Sequence, residues 1–351
     1  MAAGVRIPHA TLTTFCSRVL EMCGLPEPDA ALVAGSMVAA DLRGVSSHGV
    51  ARLGTYVKRV NSGLMEPRGR VTVVSETPST VLVDGGNGFG QVAAAFAMSL
   101  LLDKARTTGI ASAGIRNMNH YGMGAYFAMM ALPHDMIGIA VSNAPPAMAP
   151  VGGATAMLGT NPITIAVPTA TEPPLVLDMA TSLVSRGKVR LAAKEGKKIP
   201  VGWGLDSSGS PTDDPVRVLN GGSLTPIAGP KGYGLALMID VLSGVLTGSA
   251  FGTAIKAVDD LSGKSGTGSL LTAINVSAFM DPHEFRSRLD EMAQAIRQSP
   301  RATGVDRIYL PGEIEWECEK DRRKNGIPLS GAVVDDLNAL GTSNGIDFEV
   351  A

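Results

Sequence analysis

The residues best able to do chemistry stand together at Ser46-Ser47-His48-Gly49-Val50-Ala51-Arg52. Arg43-Gly44-Val45 reads as a break, Ser46 or Ser47 is a suitable helix N-cap, and an apolar-periodic helix follows through Leu53, Tyr56, Val57 and Val60. On such a helix His48 and Arg52 are one turn apart and share a face. An imidazole titrates near neutral pH, and a planar guanidinium grips a carboxylate through two parallel hydrogen bonds. The pair suits proton transfer beside the carboxylate of a small acid. A helix start with a surface histidine and a solvated arginine is the plainer reading of the same residues. A second candidate is Asn117-Met118-Asn119-His120-Tyr121-Gly122-Met123-Gly124, at the end of a predicted strand and the opening of a helix. Such junctions leave backbone donors unpaired, so α/β sheets place ligands there. His120 is then a second proton carrier or a cofactor contact, against a turn histidine bonded to backbone.

Other motifs are weaker alone. Asp84-Gly85-Gly86-Asn87-Gly88-Phe89-Gly90 follows a strand and precedes a helix, but Gln91 stands where a GxGxxG fingerprint needs glycine, so a tight turn is the better reading. Gly263-Lys264-Ser265 lacks the first glycine of a Walker loop, since position 258 is Val258. Gly152-Gly153 and Gly159-Thr160-Asn161-Pro162 are turns by composition. Asp178-Met179-Ala180-Thr181-Ser182 ends a strand with a carboxylate, and Arg186-Gly187-Lys188 follows. Gly229-Pro230-Lys231-Gly232-Tyr233-Gly234 puts Lys231 at a helix N-terminus, where a cation is disfavoured unless it has an anion to hold. His9, His134 and His283 suit surface or capping roles, and without an HExxH or similar spacing no metal is expected. A Ser47/His48 hydrolase is disfavoured, because neighbours on a helix point about 100° apart and no G-x-S-x-G elbow surrounds Ser47.

The elements that must carry these residues follow from periodicity. Three helices are expected up to about Ser62, then strands at Val71 to Ser75 and Val81 to Asp84, a helix from Gln91 to Arg106 and a strand from Ile110 to Arg116. A helix from Gly122 to Leu132 precedes strands at Ile137 to Ser142, Ile163 to Val167 and Leu175 to Asp178. The Gly- and Pro-punctuated stretch from Gly196 to Pro230 has little periodicity. Gly232 to Leu246 reads as a buried helix, Leu270 to Val276 as a strand, Pro282 to Arg297 as a helix and Ile327 to Leu340 as a last amphipathic helix. Val258 to Gly268, rich in Gly, Ser and Asp, is the candidate mobile loop.

At 351 residues two lobes are a fair expectation, with one large α/β domain the alternative, and 45% hydrophobic with 18% charged residues is an ordinary globular profile. A net charge of -2 and 4% aromatic residues argue against nucleic acid as a partner. Cys16, Cys23 and Cys318 form no cluster; the first two fall on the apolar stripe of the first helix, and so sparse a count fits a reducing compartment. The start shows no secretion signal, and the apolar stretch Leu235 to Ala250 is too short and interrupted for a membrane span. A cytoplasmic protein with no membrane partner is expected.

Together, Ser46-Ser47-His48-Gly49-Val50, Asn119-His120-Tyr121-Gly122, Gly159-Thr160-Asn161-Pro162, Asp178-Met179-Ala180-Thr181-Ser182 and Gly229-Pro230-Lys231-Gly232-Tyr233-Gly234 resemble the type-2 malate/L-lactate dehydrogenase family, in order and over most of the chain. That family also holds ureidoglycolate and sulfolactate dehydrogenases, diketogulonate reductase and piperideine-2-carboxylate reductase. The resemblance implies an α/β fold with a non-Rossmann NAD(P)-binding mixed sheet over 76–299, flanked by a helical domain built from 1–75 plus 300–351. It implies NAD or NADP as cofactor, a homodimer, and interconversion of a small 2-oxo and 2-hydroxy acid of malate, lactate, sulfolactate or ureidoglycolate type. By the same resemblance His48 is the proton donor with Ser47 in its relay, and His120 is a proton acceptor or nicotinamide-side contact. Arg52, Thr160, Arg186 and Gly187 contact substrate. Cofactor contacts are His120, Tyr121, Gly122, Met123 and Gly124, then Asp178, Met179, Ala180 and Lys231, and the turn Leu310-Pro311-Gly312-Glu313. Lys188 stands where the imine-reducing branch carries an aspartate, which favours a hydroxy acid over a cyclic ketimine.

Overall fold

Amphipathic stripes build the N-terminal part. In a computed structural model describing residues 5–348, a short strand β1 (Val5–Ile7) leads into helices α1 (His9–Met22), α2 (Glu27–Leu42) and α3 (Leu53–Asn61). Leu12, Phe15, Cys16, Val19 and Leu20 recur at helical spacing on α1 and are all buried. Prolines around the start of α2 and Glu27 and Asp29 in its first turn suit a helix N-terminus. Near the other chain end, α10 (Glu313–Asn325) is followed by β12 (Ile327–Leu329), which pairs antiparallel with β1, and by α11 (Gly331–Asn344). Ile7, Leu20, Met37, Leu53 and Tyr56 share one core with Ile327, Leu337 and Ile346, so residues from both ends of the chain pack together.

The centre is a seven-stranded mixed sheet in the order β2 (Thr72–Glu76), β3 (Thr80–Asp84), β4 (Ile110–Met118), β11 (Thr267–Asn275), β5 (Met136–Ser142), β6 (Ile163–Val167) and β7 (Leu175–Met179). Among its neighbouring pairs only β3 and β4 run parallel, joined by the crossover helix α4 (Gly90–Thr108). Alanines make that crossover tight: Ala93, Ala94, Ala97 and Ala105 are fully buried in the cluster that holds Ala111, Ala113 and Ala273 of the sheet. Small side chains let helix and sheet backbones approach, and the apolar area removed from water stabilises the layer by about 25 cal/mol per Å². The remaining strands, β8 (Gly204–Leu205), β9 (Pro211–Thr212) and β10 (Ser223–Leu224), form a small sheet of order β10-β8-β9. It packs with α6 (Arg186–Lys194), α7 (Pro215–Leu219) and α8 (Pro230–Asp240) around Val184, Val189, Val218, Leu224 and Ala236. Helix α9 (Pro282–Gln298) is capped by Asp281, whose carboxylate accepts from the amides of His283 and Glu284. No helix among the described residues is long and apolar enough to cross a membrane.

Several elements depart from their sequence expectation, each for a local reason. Residues 46–52 are not the start of α3 but two 3-10 turns, Ser46–His48 and Val50–Arg52, parted by an extended Gly49. The helix expected over Gly122 to Leu132 is one α-helical turn, α5 (Gly124–Ala128), continuing as 3-10 helix to His134 with Pro133 inside it. The expected Ile327 to Leu340 helix is β12 plus α11, because Gly326, at φ +80, ends α10 and turns the chain into the pairing with β1. Helix α10 escaped periodicity because its sequence is charged nearly all round. Helix α8 passes into a π turn at Val241–Val245, and this segment is not buried throughout: Met238, Val245 and Leu246 are more than half exposed. The loop expected to be mobile is tethered. Arg59, fully buried, donates to the carbonyls of Ala257, Asp260 and Gly263, and Val258 packs into the core shared by the chain ends. Cys16 is buried as expected, whereas Cys23 lies just beyond α1 and is half-buried.

Candidate active site

Asp41, buried near the end of α2, shapes the loop that carries His48 and Arg52. Its Oδ2 accepts a 2.7 Å hydrogen bond from the amide of Val50, and a Cβ on Gly49 would fall inside its carboxylate. Only glycine therefore lets the chain pass between the two 3-10 turns at this point. Arg322 of α10 donates to the Asp41 carbonyl, fastening the C-terminal helix to the same place. Burial pushes the Asp41 carboxyl up to about 6, against the opposing pull of the Val50 amide. The shared helical face expected for His48 and Arg52 does not exist. They are brought together instead by Arg52 Nε, which donates to the Ser47 carbonyl at 2.7 Å. In the tighter turn Ser47 Oγ also reaches its neighbour, 2.8 Å from His48 Nδ1, a contact that α-helical geometry had argued against.

His48 and His120 meet. Their rings stack with centroids 5.4 Å apart and planes 20° from parallel, although the two residues lie on different elements. Behind them Tyr56 of α3 places its hydroxyl 2.8 Å from His120 Nδ1, and Gln91 of α4 donates from Nε2 to that hydroxyl at 3.1 Å. Tyr56 and Gln91 are fully buried, while both imidazoles keep some solvent contact. Enclosure by protein and then the Arg52 charge bring the His48 ring down to about 4; enclosure, His48 and Arg52 hold His120 well below its ordinary value. Both rings are therefore neutral at pH 7. No carboxylate pairs with Arg52 among the described residues, which leaves a fixed cation beside two neutral bases. Tyr56 falls on the apolar stripe of the expected helix, and its place one turn after Arg52 is the only sequence signal of its part in the site.

The amides of the Gly-rich turn after β3, from Gly85 to Gly88, are all engaged within the protein. Asn119, fully buried, donates from Nδ2 to the carbonyls of Asn87 and Gly88, and Asn87 donates its own amide to Asn117. That clamp fixes the end of β4 and, with it, the segment from His120 to Met123. The backbone amides of His120, Tyr121, Gly122 and Met123 find no acceptor among the described residues, and Gly122 has φ +82. The Tyr121 side chain is turned into the core, stacked on Phe127 at 5.2 Å. Only its backbone can serve a ligand.

The other expected contacts gather at the end of β7. Asp178 accepts from the Ala125 amide at 3.0 Å and from Thr164 Oγ1 at 2.8 Å, so its carboxylate holds the first turn of α5. Three residues on, the Thr181 amide and hydroxyl donate to the Thr160 carbonyl, and the Thr181 carbonyl accepts from Ile227. Thr160, the segment Asp178 to Ala180 with Met179 within it, and the approach to Lys231 are thus tied at one edge of the sheet. Lys231 is exposed in the first turn of α8, after Gly229 at φ +60. Leu310-Pro311-Gly312 lies against the same strand: Val176 donates to the Pro311 carbonyl at 3.0 Å, and Gly312, at φ +86, has no room for a Cβ beside Val176. Glu313 holds this turn together, accepting from the Leu310 amide and pairing with Arg307 and Arg297. Arg186 and Gly187 open α6, exposed to solvent, and make no hydrogen bond or ion pair with His48, Arg52 or His120. The unpaired amides of 120–123 and the Lys231 ammonium are donors that fit a phosphate-bearing dinucleotide such as NAD or NADP.

The malate/L-lactate dehydrogenase family model matches residues 7–338. A malate dehydrogenase of Pyrococcus abyssi is 42% identical over 349 residues, spanning 97% of this chain and 96% of that protein. The L-sulfolactate dehydrogenase of Methanothermobacter thermautotrophicus is 38% identical, spanning 99% of each. The crystal structure of sulfolactate dehydrogenase from Methanocaldococcus jannaschii superposes with TM-score 0.92 at 37% identity, covering 98% of both chains. Relatives further off are named ureidoglycolate dehydrogenase (NAD(+)) in Escherichia coli K12, 35% identical over 95% of this chain and 94% of that protein, and Delta(1)-pyrroline-2-carboxylate/Delta(1)-piperideine-2-carboxylate reductase in Pseudomonas putida, 32% identical over 96% and 97%. With a matching family model over nearly its whole length and a superposable fold, the chain belongs to the malate/L-lactate dehydrogenase family and is an oxidoreductase.

Proposed function

We propose that this enzyme interconverts a small 2-hydroxy acid and its 2-oxo acid with NAD or NADP, as a cytoplasmic homodimer. One observation carries the reading: a stacked pair of neutral imidazoles beside a guanidinium that has no carboxylate of its own. The sheet, antiparallel apart from one pair, supports a cofactor site built without a Rossmann loop. The relatives named for malate, sulfolactate and ureidoglycolate support the acid class.

The chain's own residues have distinct tasks. Arg52 grips the substrate carboxylate and orients C2. In the oxidative direction neutral His48 takes the proton of the C2 hydroxyl, a contribution of roughly 10²–10⁴-fold. In the reductive direction the substrate carboxylate offsets the Arg52 charge, which after burial is the lesser of the two causes that depress the histidine, and so raises the fraction of the ring that carries the proton returned to the oxygen. His120 would stand toward the nicotinamide when the cofactor is bound. The amides of 120–123, Asp178 to Ala180, Lys231 and the 310–313 turn would hold the cofactor, and Thr160, Arg186 and Gly187 would complete the substrate site. When bound, the nicotinamide supplies or accepts the hydride at its C4.

A cyclic ketimine reductase is the second reading, favoured by the Ser47–His48 hydrogen bond and by the Pseudomonas relative. Absorbance at the reduced-nicotinamide band, followed with pyruvate, oxaloacetate, sulfopyruvate and piperideine-2-carboxylate against NADH and NADPH, separates them. Turnover of at least one 2-oxo acid is expected. Turnover of the ketimine alone transfers the assignment, and turnover of none of them refutes both.

A further inference from the structure

We infer that Tyr56 and Gln91 are a positioning pair that fixes His120 in the tautomer with its proton on Nε2, leaving that nitrogen as a hydrogen-bond donor for a ligand. The argument is a count of protons. A phenol has one hydrogen, and the Tyr56 hydroxyl has two polar neighbours, Gln91 Nε2 at 3.1 Å and His120 Nδ1 at 2.8 Å. An amide nitrogen is a donor only, so the phenol hydrogen is left for Nδ1; an Nδ1–H donating to the remaining lone pair would instead orphan that hydrogen in a fully buried place. A neutral imidazole that accepts at Nδ1 carries its proton at Nε2.

The alternative is a flipped amide, in which Gln91 accepts from Tyr56 and His120 donates from Nδ1. It would bury the Gln91 NH₂ without a partner. In the orientation present the orphan is Gln91 Oε1, and an under-satisfied acceptor is the more tolerable of the two. A fully buried glutamine with one unsatisfied atom is a poor core residue, and fixing the direction of this chain gives it a reason to be there. Tyr56 also remains a phenol at working pH, since burial pushes it up to about 12.

The consequence divides the two histidines. His120, with Nδ1 engaged, polarises the substrate oxygen through Nε2–H, while His48 moves the proton. This division rests on the dehydrogenase reading, but the tautomer itself does not.

The test has two arms. Long-range proton–nitrogen correlation spectra of the ¹⁵N-histidine-labelled enzyme, with His120→Gln to assign the signal, should show a pyrrole-type Nε2 and a pyridine-type Nδ1 at pH 7. Tyr56→Phe, which keeps the ring and its packing, should mix the tautomers and lower kcat about 10–100-fold, with KM for the acid within about twofold. If that variant does not fold, Gln91→Met keeps the volume and the phenol and should mix the tautomers in the same way. A pyrrole-type Nδ1 in the wild type overturns the inference, as does a Tyr56→Phe variant with unchanged tautomer and kcat. If the wild type turns over no 2-oxo acid yet shows the Nε2 proton, the reaction is misassigned and the positioning pair stands.

Discussion

At the scale of single residues the cleft works through suppression of charge. A histidine near its ordinary pKa of about 6.5 would impose an inflection close to neutrality on activity. The His48 ring is brought down to about 4, so the base needed for hydroxy-acid oxidation is present above that pH and lost only as pH falls through it. The expected kcat/KM profile for oxidation, which reports the free enzyme, is flat from pH 6 to 8 and has no acid limb near 6.5. An acid limb at 6.5 would show that the ring is not shielded. His48→Ala should lower kcat roughly 10²–10⁴-fold with circular dichroism unchanged; near-full turnover would move the proton-transfer role to His120. The sequence made His48, Arg52 and His120 visible as chemically able residues. It could not reveal their partners, because Tyr56 and Gln91 look like ordinary positions on apolar helices until α3 and α4 are packed against each other.

At the scale of elements, the loop from Ser46 to Arg52 departs most instructively from expectation. Cap and periodicity pointed to a continuous helix, and a carboxylate contributed by the preceding helix breaks it. Local propensity has no access to such a contact. Gly49→Ala should therefore act as an active-site lesion from outside the chemistry. Its methyl collides with Asp41, the Val50 amide loses its acceptor, and turnover should fall at least about tenfold through misplacement of His48 and Arg52. Steady-state kinetics beside a melting curve checks this, and unchanged turnover would mean that the loop accommodates the methyl. Helix α10 shows the complementary failure. With charge nearly all round it, the hydrophobic period was silent, and its place is set by tertiary ties such as Arg322 to Asp41.

At the scale of the whole molecule, the mixed α/β architecture was legible because alternating strands and alanine-rich helices leave strong periodic signals. Exposure was not. The apolar run through α8 reads as buried in any single chain, yet Leu235, Met238, Leu242, Val245 and Leu246 reach solvent at helical spacing. A continuous apolar face of this kind suits a homodimer interface. Light scattering coupled to gel filtration should give about twice the 36.2 kDa chain mass. The double substitution Met238→Glu with Leu246→Glu should shift it to the monomer. A wild-type monomer would refute the homodimer, and a dimer indifferent to the two charges would place the interface elsewhere.

Helix α3 carries Tyr56 toward His120 and, three residues on, Arg59 toward the carbonyls of Ala257, Asp260 and Gly263. One turn of a single rigid rod thus engages both the His120 ring and the hem of a distant segment. Lengthening or shortening that segment, although it belongs to no strand or helix of the central sheet, would tug on the rod and be felt as a change in how the imidazole is aimed. Variation among relatives in this stretch should accordingly be conservative in length rather than in sequence.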